Sequence, residues 1–259
     1  MQLTDKVIVV TGGGDGIGKA LCLRFAQEKP YGIVVADLNL AAATAVAEEV
    51  GGLPVECNVA DESQIVRLVE ASHEKYGRID VFCSNAGIAF GGGVDATNAQ
   101  WQSIWDINLM SHVYAARAVL PQMIARGSGY LLQTASAAGL LTQIGSAPYA
   151  VTKHAAVALA EWLAMTHADD GIKVSCLCPL GVRTKMLEES GEIRPLLESD
   201  ALGPGEVAEA VVRGMAAEQF LILPHENVRT YLHHKTDDPD RWLRGMSRLR
   251  RTMFETAGD

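Results

Sequence analysis

The chain of 259 residues has no apolar run long enough to cross a bilayer; its hydrophobic stretches are short and broken by Gly, Pro or charge. No helical membrane span is therefore expected. Positive charge is also in deficit: 22 Lys and Arg stand against 31 Asp and Glu, a formal net charge of −9. Wholesale nucleic-acid binding needs a basic footprint and is excluded on that ground. Cysteine is sparse, odd in number at five, and scattered, which argues against a disulfide framework. Neither a C-x-x-C pair nor an H-E-x-x-H helix occurs, so no metal site is expected. The N-terminus has no basic stretch followed by a long apolar region, so no secretory signal is expected and the cytoplasm is the default location. No Pro/Gly/Ser linker, internal repeat or low-complexity tract divides the chain. Residues 1–259 are thus expected to form one domain, long enough to bury a core without covalent staples.

What is present is an alternation of two kinds of segment. Short β-branched runs read as buried strands: 6–11, 32–37, 53–57, 79–84, 129–135, 173–178 and 219–223. Helical stretches lie between them at 17–29, 41–50, 62–76, 98–126, 148–169 and 204–217. Strand and helix in strict alternation predict an α/β fold, with a doubly wound parallel sheet and helices on both faces.

Two stretches break the alternation. Residues 183–203 form an insertion carrying Met186, Leu187, Ile193, Leu196 and Leu197, and are expected to act as a lid. Residues 225–256 form a helical tail. Asp238-Pro239 predicts a capped start, and Trp242, Met246, Leu249 and Met253 then recur at helical spacing among five arginines. The stripe is expected to dock on its own domain or on a sister subunit, with the Arg face solvated.

Chemistry gathers at the strand ends. Thr11-Gly12-Gly13-Gly14-Asp15-Gly16-Ile17-Gly18 sits between the first strand and a helix. Such a turn lets backbone approach a pyrophosphate at a helix N-terminus. Asp37, about twenty residues on, suits a ribose with two free hydroxyls and repels a 2′-phosphate. No Arg or Lys lies in 11–18 or 36–39 to neutralise such a phosphate, so NAD is expected over NADP. Asp37 could instead merely cap the following helix.

Tyr149 and Lys153 lie four apart, on one helix face. A free phenol titrates near 10. Bringing it towards 7 needs about three units, roughly 4 kcal/mol, from Lys153 and an oxidised nicotinamide ring. Ser136 stands just past the fifth strand and Asn108 inside the preceding long helix. Read separately, Ser136 could be a turn residue, Asn108 a backbone-paired helix polar and Lys153 a solvated charge.

Taken in order, these marks resemble the short-chain dehydrogenase/reductase family over nearly the whole chain. They include the Gly-rich turn, Asp37, Asn58-Val59, Asn85-Ala86-Gly87, Asn108, Ser136, the Tyr149/Lys153 pair and the stretch Pro179 to Thr184. The resemblance implies a single Rossmann-like domain with strand order 3-2-1-4-5-6-7. It implies Tyr149 as acid/base and Ser136 on the substrate oxygen. Lys153 would hold the nicotinamide ribose, and Asn108 a water in a proton relay. Gly12, Asp15, Gly16, Ile17 and Gly18 would line the pyrophosphate site, and Asp37 would meet the adenosine ribose. Asn58 and Val59 would flank adenine, and Asn85, Ala86 and Gly87 would support the site. Pro179, Val182 and Thr184 would meet the carboxamide end. Asn58 stands where the family usually has Asp, and Leu180 where it commonly has Gly.

The substrate side is expected to draw on Ser136, Ala138, Gln143, Tyr149, Leu180 and Met186, with Phe90 and Leu187 nearby. None of these is charged, so an apolar secondary alcohol or ketone is expected. By analogy the helices over 98–126 and 148–169 pack between subunits of a homodimer or homotetramer. Two alternatives remain at this point: a non-catalytic NAD-binding sensor, or non-dehydrogenase chemistry on the same fold. Cys176, Cys178 and the other cysteines read as buried apolar side chains, His112 as a packing residue, and His233-His234 as exposed tail.

Overall fold

The computed structural model describes residues 1–255; residue 256, at the end of the expected tail, lies outside the described residues. Seven strands form one parallel sheet: β1 (Val7–Thr11), β2 (Gly32–Asp37), β3 (Leu53–Glu56), β4 (Val81–Ser84), β5 (Gly129–Thr134), β6 (Ile172–Leu177) and β7 (Leu221–Ile222). Their order is β3-β2-β1-β4-β5-β6-β7, as expected.

The strands read as continuous apolar runs because helices cover both faces. Val9, Phe82 and Leu131 point into one core layer, and Ile8, Val10, Val81, Cys83, Tyr130 and Leu132 into the other. On the second layer lie α1 (Gly16–Ala26), α2 (Leu40–Val50) and, beyond the lid, α10 (Pro204–Ala216). On the first lie α3 (Glu62–Tyr76), α5 (Ser111–Arg126) and α7 (Ala147–Thr166). All five cysteines are buried, in keeping with their reading as core side chains.

Three elements differ from expectation. Residues 98–126 are not one helix: α4 (Asn98–Trp105) passes through a π-helical turn, Asp106–Met110, into α5. Such turns break the helical hydrogen-bond register; here the turn buries Asn108 together with Leu109. The insertion is structured, with α8 (Lys185–Glu188), a 3₁₀ turn at Gly191–Ile193, and α9 (Arg194–Glu198). The tail divides into α11 (Asn227–Asp237) and α12 (Pro239–Glu255), and Asp238 Oδ1 accepts the Arg241 N–H at 2.9 Å as the expected cap. A short α6 (Ala138–Leu141) precedes α7. Among the described residues no helix is long and apolar enough to cross a membrane.

β1 pairs with β2 on one side and β4 on the other, so the strand order reverses there. The crevice at the carboxyl ends of such strands is where open α/β sheets bind ligands.

Candidate active site

A cavity of about 1010 Å³ opens at that crevice and is continuous from the glycine turn to the tail. It is at the upper end of the roughly 300–1,000 Å³ usual for small-molecule sites.

At one end is the glycine turn. Gly12 takes φ +63°, and a Cβ there would meet Ala86 Cα at 3.0 Å. A Cβ on Gly18 would lie 1.9 Å from the Gly12 carbonyl oxygen, so only glycine lets the turn close onto α1. Asp15 caps α1, accepting the Gly16 N–H at 2.7 Å. Asp37 accepts the Gly14 N–H on one oxygen and the Asn39 N–H on the other, each at 2.9 Å. Asp37 does not cap α2, since Asn39 does so by accepting the Ala42 N–H at 3.2 Å; Asp37 braces the Gly14 and Asn39 backbone and lines the cavity. Thr11 ties this end to β4, accepting the Asn85 and Ala86 N–H groups on its hydroxyl and the Asn85 amide on its carbonyl.

At the other end three buried polar residues converge. Tyr149 and Lys153 project from α7, and Ser136 follows β5. The Lys153 ammonium lies 5.7 Å from the Tyr149 ring centre and donates to the Thr134 carbonyl at 3.0 Å. Burial pulls Lys153 down to about 8. Burial also pushes the Tyr149 phenol above its ordinary value, opposed by its hydrogen bond with Ser136. Among the protein's own groups the opposing effect comes from Ser136 rather than from Lys153, and desolvation outweighs it, whereas the expected acidified phenol also required an oxidised nicotinamide ring. The Ser136 hydroxyl accepts the Ala138 N–H at 3.0 Å and donates to the Pro179 carbonyl at 3.5 Å.

Asn108 lies behind the cavity wall. Its amide donates to the Ile88 carbonyl at 2.9 Å and to Thr152 Oγ1 at 3.3 Å, and its oxygen accepts the Ile88 N–H at 2.9 Å. Its side chain thus clamps the loop after β4 to α7. Only one lone pair remains for the relay water that the resemblance implied. Gly87 fits between them: a Cβ there would stand 3.3 Å from Asn108 Oδ1 and 3.4 Å from Lys153 Nζ.

The cavity wall brings together Gly12, Asp15, Gly16, Ile17, Asp37, Asn85, Ala86, Gly87, Ser136, Ala138, Gln143, Tyr149, Lys153, Pro179, Leu180, Val182, Thr184 and Met186. Asn58 and Val59 are not on it. The Asn58 oxygen accepts the Ala60 N–H at 3.1 Å, and Val59 is buried in the core with Ile65. Phe90 packs against the Ile104, Ala138 and Tyr149 cluster and lines an adjoining cleft with Gln143, Met186 and Ile193, residues that also line the main cavity.

Two features escape sequence reasoning. His225, a lone histidine after β7, bridges the turn after β6. Its Nδ1 accepts the Leu180 N–H at 3.2 Å, and its Nε2 pairs with the Gly181 carbonyl at 3.0 Å. Because Nδ1 accepts, Nε2 must carry the proton, and burial lowers the pKa in keeping with a neutral ring. No local pattern marks this residue, because its partners lie 44 and 45 positions away. The second feature is the tail: α11 and α12 bring Tyr231, Trp242, Met246, Leu249 and several charged residues to the cavity.

A family profile described as short chain dehydrogenase matches residues 6–194. The chain is 31% identical over 247 residues to a 1-deoxy-11-beta-hydroxypentalenate dehydrogenase of Streptomyces exfoliatus, covering 92% of this chain and 90% of the relative. It is 33% identical over 238 residues to a meso-2,3-butanediol dehydrogenase of Serratia marcescens, covering 88% and 94% respectively. A short-chain dehydrogenase/reductase structure from Burkholderia phymatum, in complex with NAD, superposes with a TM-score of 0.85 at 24% identity, covering 92% of this chain and 96% of that one. The chain belongs to the short-chain dehydrogenase/reductase family, a family of oxidoreductases.

Proposed function

We propose that this protein is an NAD-dependent oxidoreductase that interconverts an apolar secondary alcohol and its ketone. The observation that carries the reading is one continuous cavity. It joins the Ser136–Tyr149–Lys153 cluster to a glycine cradle braced by Asp37.

The residues present fit a nicotinamide dinucleotide. Gly12, Gly16 and Ile17 would seat its pyrophosphate at the α1 N-terminus. The Asp37 carboxylate favours an unphosphorylated adenosine ribose. Lys153 spends one of its three donors on Thr134 and keeps the others for the nicotinamide ribose. Val182 and Thr184 would meet the carboxamide. When bound, the dinucleotide supplies or takes up the hydride.

The chain's own residues handle the proton and the oxygen. In ketone reduction the Tyr149 hydroxyl donates its proton to the carbonyl oxygen, while the Ser136 hydroxyl hydrogen-bonds that same oxygen. In alcohol oxidation the Tyr149 phenolate accepts the hydroxyl proton, and the Lys153 ammonium stabilises that phenolate. Residues 183–203 act as the lid, with Met186, Leu187, Ile193, Leu196 and Leu197 on the cavity side. Apolar Trp162, Met165 and Val151 are exposed on α7, which supports the reading of a homodimer or homotetramer.

A spectrophotometric panel of secondary alcohols and ketones, run with NAD and with NADP, tests the proposal. Turnover of apolar members with NAD is expected. No hydride transfer with any member, a preference for NADP, or a preference for phosphorylated substrates would overturn it.

A further inference from the structure

The family profile ends at residue 194, well before α12. That helix nevertheless forms one side of the cavity containing Tyr149. Arg241, Trp242, Gly245, Met246, Arg248 and Leu249 face it. Their spacing is that of a single helix face. The sequence alone left open whether the stripe met its own domain or a sister subunit; here it meets its own active cavity.

The wall is fixed at both ends. On α11, Val228 is fully buried against Ala137 and Leu141, and the Lys235 ammonium donates to the Leu140 carbonyl. Trp242 packs on that same cluster with Leu180, the residue that stands where the family commonly has glycine. At the far end of α12, the Phe254 ring reaches Gly145 alongside Ile193 of the lid segment. The helix therefore spans from the segment after Ser136 to the lid.

The chemistry of this wall sets what it can recognise. Trp242, Met246 and Leu249 continue the apolar surface of Leu141, Leu180 and Leu197. The lining from the lid and tail carries three cations, Lys185, Arg241 and Arg248, and three carboxylates, Asp200, Asp237 and Asp238, so their formal charges cancel and select no sign. Filling this apolar space with an apolar body releases water from both surfaces, which a substrate of a few carbons cannot do.

We propose that α12 is the outer wall of the substrate site, and that Trp242, Met246 and Leu249 with Leu180 select a secondary alcohol bearing a bulky, multi-ring apolar body. This rests on the alcohol dehydrogenase reading above and specifies its substrate class.

Steady-state kinetics with NAD test it, using isopropanol and a decalin alcohol on the parent, Trp242→Ala and Met246→Trp. The first variant hollows the wall and the second fills it, so a packing defect in one does not decide the result. The parent should favour the decalin alcohol in kcat/KM. Each variant should lower the decalin-to-isopropanol ratio about tenfold, chiefly through KM. NAD affinity by fluorescence titration should hold in both. A parent that favours isopropanol, or a ratio unmoved in both variants, overturns the wall while leaving the dehydrogenase reading intact. A parent that binds NAD yet oxidises neither alcohol overturns the wall, and failure across the whole alcohol and ketone panel overturns the dehydrogenase reading as well.

Discussion

Lys153 stands one helical turn from Tyr149, with its ammonium 5.7 Å from the phenol ring centre, yet its hydrogen bond goes to the Thr134 carbonyl. The pair is coupled through space rather than joined directly. Both groups are buried, and burial disfavours the charged form of each: it raises the phenol and lowers the ammonium.

The first consequence concerns pH. With Tyr149 raised, the neutral phenol dominates at neutral pH. Alcohol oxidation, which needs phenolate, should climb as pH rises above neutral, whereas ketone reduction should fall there. Tyr149→Phe should cut turnover in both directions by on the order of 10²–10⁴-fold, with dinucleotide affinity retained. Initial rates across pH and a binding titration check this; ordinary turnover in the variant would remove Tyr149 from the reaction.

Lys153 makes a stability prediction of opposite sense to its use in catalysis. Its folded value of about 8 lies below the ordinary 10.5. Between those values the unfolded chain holds a proton that the folded chain has lost, so this residue's contribution makes stability rise with pH across that window. Below it, the full cost of the buried charge is present. Lys153→Met should therefore raise stability at pH 7 by about 1–3 kcal/mol while abolishing turnover. The gap should close as pH rises through the window. Urea unfolding of both proteins measures it, and a less stable variant at pH 7 would contradict the account.

His112 gives the acid side. It is fully buried, its Nδ1 is paired with Gln133 Oε1, and burial together with the Lys153 charge lowers it from 6.5 to about 3. The unfolded chain takes up this proton first, so stability should be lost as pH falls from 6.5 towards 3, by up to roughly 5 kcal/mol. Replacing both partners, His112→Leu with Gln133→Leu, should flatten that part of the pH–stability curve relative to the parent. A slope unchanged by the double substitution would assign the acid sensitivity elsewhere.

Under the proposed NAD reading, Asp37 is expected to decide between the two dinucleotides. Asp37→Ala removes the carboxylate that would repel a 2′-phosphate, and should narrow the NAD-over-NADP preference by about tenfold, equivalent to ~1.4 kcal/mol. Because Asp37 also holds Gly14 and Asn39 backbone, Asp37→Asn provides the less disruptive comparison. Unchanged kcat/KM ratios for the two dinucleotides in both variants would sink the assignment.

The residues legible in the sequence are those whose neighbours lie close along the chain. Tyr149 and Lys153 share a face because helical periodicity places positions four apart together. Gly12 to Gly18 announce a tight turn because few other residues tolerate its backbone, and Asp238 announces the start of α12 because an unpaired N–H needs an acceptor. The apolar runs of β1, β2 and β5 signalled buried strands, and alternation with helices signalled the sheet. What only the tertiary structure decided depends on contacts between distant segments. Asn108 is occupied by Ile88 and Thr152, His225 holds the Leu180–Gly181 turn, Phe90 packs against the Ile104 and Tyr149 cluster, and α12 walls the cavity. Burial against apolar surface is non-directional. A stripe such as Trp242, Met246 and Leu249 therefore announces that it will be covered, while the packing of the whole chain determines what covers it.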